Sequence, residues 1–195
     1  GLGDVYKRQY VDRNQAGRGK ELTNSVVLIH DGSILGKGGK RLLPTYDVFD
    51  ETRYFEPAKE SLLFELEGRR IGVTICEDIW NVGDLEGIPR YGLDPVSELD
   101  RRGMDILVNI SASPFTMNKS RLRLSILKKI AQRYGIPVIY CNQVGGNDDL
   151  LFDGSSMVVD HQGRLVVLAA EFESDRIVWD VEKVYGPITN PWPVE

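Results

Sequence analysis

The sequence predicts an α/β fold with a mixed sheet, on three observations. Short apolar runs rich in β-branched residues, such as Ile71 to Ile75 and Asp105 to Ile110, have the length and stiffness of buried strands. The dipeptides Asp31-Gly32 and Glu67-Gly68 each separate two such runs and read as hairpin turns. One long amphipathic segment leads straight into a strand, Asn118 to Cys141, which is half of a crossover unit.

Each element has its own signal. Residues Gly1 to Gln9 (GLGDVYKRQ) show no periodicity and read like a translated adaptor sequence, so 1–9 are set aside as a non-native leader. Asp12 to Glu21 is a polar loop, and Asn24 to Leu35 is the first hairpin. Lys40 to Tyr46 leaves a strand, and Asp47 to Pro57 is too aromatic for a solvated linker, so an ordered, packed loop is expected. Ser61 to Ile75 is the second hairpin, and Gly83 to Tyr91 a loop. Asp94 to Arg102 is a helix with Asp94 as N-cap, Pro95 at its first position and Gly103 as its stop. Asn118 to Tyr134 is the main helix, with Leu122, Ile126, Ile130 and Ala131 on its apolar face, basic residues elsewhere, and Gly135 ending it. Asn142 to Asp149 is a Gly-rich loop, Phe152 to Leu168 a hairpin around Asp160 to Gly163, and Arg176 to Val181 a last strand. Residues 10–183 form one domain, and 184–195, with Pro187, Pro191 and Pro193, an extended tail with nothing to pack.

Composition excludes several functions. A chain of 195 residues with a formal net charge of -5 is not built to hold a phosphate backbone, so no nucleic acid is expected. Two cysteines without paired spacing argue against zinc, against any other metal and against a disulfide framework, and point to a reducing cytoplasm. No apolar run nears the roughly 20 residues of a membrane helix.

Chemistry concentrates in Arg70 to Asn81 (RIGVTICEDIWN). Cys76 ends a buried strand where the backbone must turn, as a nucleophile does, although a small buried hydrophobe fits the same pattern. A thiol needs a base or a cation to ionise. Both histidines, His30 and His161, sit in hairpin turns, so lysine and carboxylate must serve. Lys40 closes a strand and is the candidate cation. Most of the 24 lysines and arginines are solvated, and composition alone does not separate Lys40 from them.

The segments KRLLPTYDVFDETRYF (Lys40 to Phe55), GVTICEDIW (Gly72 to Trp80), LVNISASPF (Leu107 to Phe115) and YCNQVGGNDDLLFDGSS (Tyr140 to Ser156) resemble the nitrilase superfamily. Within it they are most similar to the glutamine-hydrolysing amidase domain of glutamine-dependent NAD synthetases. The resemblance implies a nitrilase-like α-β-β-α sandwich with mixed sheets, incomplete at the N-terminus. It also implies roles. Cys76 is the nucleophile of a Glu-Lys-Cys triad, Lys40 its cation, and Glu51 the second glutamate that positions the lysine and the water. Tyr46 lines the glutamine pocket, Glu77 takes the α-ammonium, and Trp80 and Ser113 contact the substrate. Lys119 falls where relatives carry arginine for the α-carboxylate, a point charge in place of a planar fork. Asn142, Gln143 and Gly145-Gly146 match a loop near the site, and Cys141 is structural. Outside the resemblance Glu51 reads as a loop acid, Tyr46 as packing and Lys119 as an exposed first-turn residue.

The implied partners are L-glutamine, a C-terminal NAD synthetase domain and further copies of the intact chain. No cofactor is implied for this domain, and ATP and Mg belong to the absent synthetase domain. The family's first triad glutamate lies well before the lysine, where this sequence has only Glu21 in a polar loop. Weak hydrolysis by the chain alone is therefore expected. Two other readings share these residues: a stand-alone nitrilase-family amidase or carbamoylase, and a non-catalytic assembly domain.

Overall fold

Two left-handed dipeptides shape the first part of the chain. Asp31 and Gly32 have φ of 48° and 72°, and Glu67 and Gly68 have 52° and 75°, which is the twist a two-residue hairpin turn requires. Both turns fall where the sequence places them. A computed structural model describes residues 5–46, 49–81, 91–189 and 191–192, with the side chains of 5–8 excepted. The chain divides into two compact units, Gly1–Met104 and Asp105–Glu195.

In the first unit, β1 (Val5–Arg13), β2 (Leu22–His30) and β3 (Ser33–Gly39) form an antiparallel sheet in that order. Val5 to Gln9, which show no periodicity in the sequence, pair with β2 from Val5↔His30 onward, while Gly1 to Asp4 lie outside the described residues. Pairing uses backbone groups alone, so a segment with no apolar period can complete it. β3 also extends beyond Leu35 through four residues containing three glycines. A Cβ on Gly38 would stand 2.6 Å from Leu62 Cβ, so glycine is what lets this sheet approach the next hairpin.

That hairpin is β4 (Leu62–Leu66) and β5 (Arg69–Ile75), antiparallel in register from Leu62↔Val73 to Leu66↔Arg69. Between the sheets' strands, the aromatic loop is ordered as expected and holds a short helix, α1 (Glu51–Tyr54); Asp47 and Val48 lie outside the described residues. α2 (Pro95–Arg101) is capped by Asp94, whose carboxylate accepts the Val96 and Ser97 N–H groups. It packs Leu99 over Gly72 of β5, where an added Cβ would meet Leu99 Cδ1 and Met104 Sδ at 3.0 Å. Val73, Ile75, Ile79, Val96 and Leu99 form the core here. Of the loop expected at Gly83 to Tyr91, Tyr91 alone is described.

In the second unit, β6 (Ile106–Ser111) runs parallel to β7 (Val138–Asn142), β10 (Met157–Val159) antiparallel to β7, and β11 (Leu165–Leu168) antiparallel to β10. This is the mixed sheet the sequence predicts. α3 (Lys119–Tyr134) joins β6 to β7 and ends at Gly135, φ 65°. It buries Ile126, Leu127, Ile130 and Ala131, whereas Leu122 is only half-buried.

Three expectations need correction in this unit. Asn142 to Asp149 is not simply a loop: β8 (Val144–Asn147) pairs with β9 (Leu150–Asp153) across a turn at Asp148, φ 52°. Arg176 to Val181 forms no strand, and Ile177 and Val178 are 44% and 87% exposed. Alternation supplies the pattern, but a strand also needs a hydrogen-bonded neighbour. The tail is anchored: Ile188 N donates to Leu165 O at 2.8 Å and Trp192 Nε1 to Glu171 Oε1 at 2.8 Å. Pro193 lies outside the described residues.

The largest departure is Arg123, on the helix face read as basic and solvated, yet 1% exposed. Its five N–H groups are all used. Nη1 donates to both oxygens of the fully buried Asp153 at 2.7 and 2.8 Å, Nε to Ser113 Oγ at 3.2 Å, and Nη2 to the Ser113 and Pro114 carbonyls at 2.8 and 3.0 Å. Asp153 Oδ2 also accepts the Ser120 hydroxyl at 2.9 Å. The pair welds α3 to the loop after β6. Arg123→Met should therefore cost about 3–5 kcal/mol in urea unfolding by stranding the Asp153 charge, and adding Asp153→Leu should recover part of it. A loss under about 1 kcal/mol for Arg123→Met would contradict this.

Candidate active site

β5 ends at Ile75, and Cys76 opens a 3-10 turn, Cys76–Ile79, at φ 44°. A side chain is rarely held in the left-handed region, and such residues persist only where their surroundings over-determine them. The backbone thus reverses at the thiol as the sequence predicts. Cys76 is half-buried, neither sealed in hydrocarbon nor fully solvated. The Glu77 N–H heads a helical turn, where no intrahelical acceptor precedes it.

What fixes the turn is Asp78, a fully buried carboxylate. Oδ2 accepts Ile75 N at 3.0 Å, and Oδ1 accepts Arg41 N at 2.9 Å and Leu42 N at 2.8 Å. One carboxylate therefore bonds backbone amides that are next to Cys76 on one side and next to Lys40 on the other. Burial pushes its carboxyl up to about 6, against the opposing pull of those hydrogen bonds and of the Lys40 charge.

Lys40 is 2% exposed. Its N–H donates to Asn24 O at 2.8 Å and its carbonyl accepts from Ala58 N at 2.9 Å, so the backbone is held on both sides. Lys40 Nζ reaches Glu51 Oε1 at 2.5 Å. Glu51 opens α1, donates its N–H to Pro44 O at 3.1 Å, and accepts Asn24 Nδ2 on Oε2 at 3.4 Å. Of the two sequence readings of Lys40, the solvated loop lysine is excluded: it is a buried cation with a carboxylate partner.

Glu77 is 3% exposed. Its Oε1 accepts the Tyr46 hydroxyl at 2.8 Å and the Tyr91 hydroxyl at 2.7 Å. Burial, followed by the bond to Glu77, pushes both phenols well above the usual tyrosine range, so both remain protonated donors. Trp80 is buried at the turn's end, its N–H on Glu77 O at 2.9 Å.

Lys40, Glu51, Cys76, Glu77, Tyr46 and Trp80 all lie in the first unit, where Lys40 bonds Glu51, Tyr46 bonds Glu77, and Asp78 ties the backbone next to Lys40 to that next to Cys76. Ser113 and Lys119 belong to the second. Ser113 is buried, its N–H on Asn142 Oδ1 at 2.9 Å and its hydroxyl accepting from Arg123 Nε. Lys119 opens α3 and is half-buried. Cys141 is exposed. Among the described residues no group of three or more His, Cys, Asp or Glu side chains could hold a metal ion.

Sequence reasoning missed three residues. Asp78 had a signal: an acid at the third position of a helical turn commonly reaches back to the amide before it. Asn81 ends the same motif and holds the Tyr91 backbone. Tyr91 itself follows a loop of no regular pattern and had none.

The profile of carbon-nitrogen hydrolases matches residues 9–186. The chain is 45% identical over 171 residues to the glutamine-dependent NAD(+) synthetase of Synechocystis sp., covering 88% of this chain but 31% of that protein. It superposes with a TM-score of 0.76 on the glutamine-dependent NAD+ synthetase of Acinetobacter baumannii, at 34% identity, covering 88% of this chain and 30% of the other. An amidase of the nitrilase superfamily from Nesterenkonia shares the fold at TM-score 0.69 and 19% identity, over 86% of this chain and 58% of the other. The chain thus spans less than a third of the synthetases it matches.

Asp78 also makes stability depend on pH. Its folded-state affinity for a proton exceeds that of an unfolded aspartate, so its contribution is full below about pH 4 and is lost as pH rises through about 6. The gap in unfolding free energy between the wild type and Asp78→Asn should accordingly narrow by about 2 kcal/mol from about pH 4 to pH 7. A gap independent of pH would show that Asp78 does not titrate inside the fold.

Proposed function

The chain belongs to the carbon-nitrogen hydrolase family, and from that membership we propose that it hydrolyses the side-chain amide of L-glutamine through a thioester on Cys76. The observation that supports this reading is the Asp78 tie: one carboxylate bonds the amide just before the strained, half-buried Cys76 and the two amides that follow Lys40, itself paired with Glu51. A positive charge near the thiol favours the thiolate. The thiolate attacks the amide carbon, and the oxyanion that forms is met by the Lys40 ammonium and the Glu77 N–H. The C–N bond breaks as the leaving nitrogen takes up the proton the thiol released, ammonia departs, and water adds to the thioester carbonyl, giving glutamate and returning a proton to the thiolate. Glu51 holds Lys40 and orients that water.

Glu77 accounts for the amino-acid character of the substrate. A carboxylate this buried calls for a cation, and the α-ammonium of glutamine provides one. Tyr46 helps hold it. Trp80, of the same unit, completes the reading as a substrate contact. This chemistry uses no cofactor. Since the similar synthetases are longer, the ammonia passes to an ATP- and Mg-dependent synthetase part that acts on deamido-NAD, in an oligomeric protein of the cytoplasm. Among the described residues no helix is long and apolar enough to cross a membrane.

The test is covalent capture. A chloroketone analogue of glutamine should alkylate Cys76 and leave Cys141 free by peptide mass mapping, and Lys40→Met should slow the reaction about 10- to 100-fold by removing the cation that favours the thiolate. Labelling on Cys141, or a rate indifferent to Lys40, would overturn the mechanism. A panel of amides in a burst assay separates glutamine from the amides of a general amidase.

A further inference from the structure

Glu77 receives two hydroxyls on the same oxygen. Tyr46 and Tyr91 both donate to Oε1, and Oε2 accepts no hydrogen bond from the described residues. The carboxylate is therefore fixed by one atom while the other stays open, on a residue that is 3% exposed. Lys40, a buried cation of the same unit, is committed to Glu51. An open anionic oxygen in such a place selects for a positively charged ligand group.

Tyr91 does not reach Glu77 by chance of a loop. Asn81, the last residue of the segment that carries Cys76, Glu77 and Asp78, donates Nδ2 to the carbonyls of Tyr91 at 3.0 Å and Leu93 at 2.7 Å, and accepts Tyr91 N on Oδ1 at 3.3 Å. Three hydrogen bonds from one side chain fold the returning backbone against the segment that bears Glu77. The 2.7 Å hydroxyl contact then follows from where the backbone is pinned.

We propose that Tyr91, held in place by Asn81, is a specificity-determining residue that orients Glu77 to receive the ammonium group of an amino-acid amide. The proposal rests on the function given above and deepens it. Tyr91 donates to Glu77, so its loss changes which ligand is preferred and leaves the reactivity of the thiol in place. Asn81 is a positioning residue for Tyr91.

Three alkylating reagents separate these effects on the intact chain. One is 2-amino-5-chloro-4-oxopentanoate, which has the ammonium. The second is 5-chloro-4-oxopentanoate, which lacks it. The third is iodoacetamide, which reports thiol reactivity alone. The wild type should prefer the amino reagent at Cys76. Tyr91→Phe, which removes one oxygen atom, should lower that preference about 3- to 10-fold, as befits one hydrogen bond to a charged group, with the iodoacetamide rate changed less than about 2-fold. Asn81→Ala should do the same. An undiminished preference in Tyr91→Phe overturns the role of Tyr91. So does an equal fall in all three rates, because that describes a structural residue. If the wild type already shows no preference for the amino reagent, the reading of Glu77 as an ammonium receptor fails first, and this inference with it.

Discussion

The site depends on one carboxylate that never needs to meet a substrate. Asp78 accepts Ile75 N from the strand that leads into the thiol, and Arg41 N and Leu42 N from the segment that follows Lys40. These two stretches lie more than thirty residues apart in sequence, and a hairpin and a helix intervene. Backbone amides do not move with rotamers, so tying them fixes the origin of both side chains more firmly than any contact between the side chains could. The cost is a buried acid whose proton is held more tightly than in water, a local penalty accepted in return for geometry.

Besides Asp78, three burials of charge among the described residues are each resolved differently. Arg123 and Asp153 neutralise one another with every guanidinium hydrogen used, which leaves nothing free to react. Lys40 and Glu51 also pair, but by a single contact, so the ammonium keeps hydrogens for another anion. Glu77 pairs with no cation among the described residues and is solvated by two phenols on one oxygen. The first arrangement suits a structural weld, while the second and third leave valences open. Read as a series, the degree of satisfaction separates scaffold from site where sequence shows only a list of charged residues.

Much of this was legible in the sequence because it rests on local rules. Asp31-Gly32 and Glu67-Gly68 adopt the left-handed pairs their composition demands, Asp94 caps α2, and Gly135 ends α3. Cys76 stands where a β-branched run meets two acids, and the turn follows. The four segments resembling nitrilases placed Lys40 and Glu51 before any distance was known. What escaped was non-local. Gly38 carries no signal until Leu62 stands over it, Arg123 is one basic residue among several until Asp153 arrives from thirty residues downstream, and Val5 to Gln9 show no pattern until β2 supplies a partner. Arg176 to Val181 failed in the opposite sense, having the pattern of a strand without a neighbour to pair with.

The strain at Cys76 gives the arrangement its direction. A cysteine at φ 44° is costly on its own, on the order of 1–3 kcal/mol, and an unconstrained chain would relax it toward an extended strand end. Relaxation would carry Glu77 out of reach of Tyr46 and Tyr91 and draw Ile75 N away from Asp78. Each of these hydrogen bonds therefore opposes the same motion, and together they hold the turn tight. The turn, in its own right, sets the thiol next to the Glu77 N–H in sequence, at the head of a helical turn. Packing alone could bury Cys76 equally well, but it would have no reason to leave it half-exposed at the head of a helical turn with an acid clamp behind it.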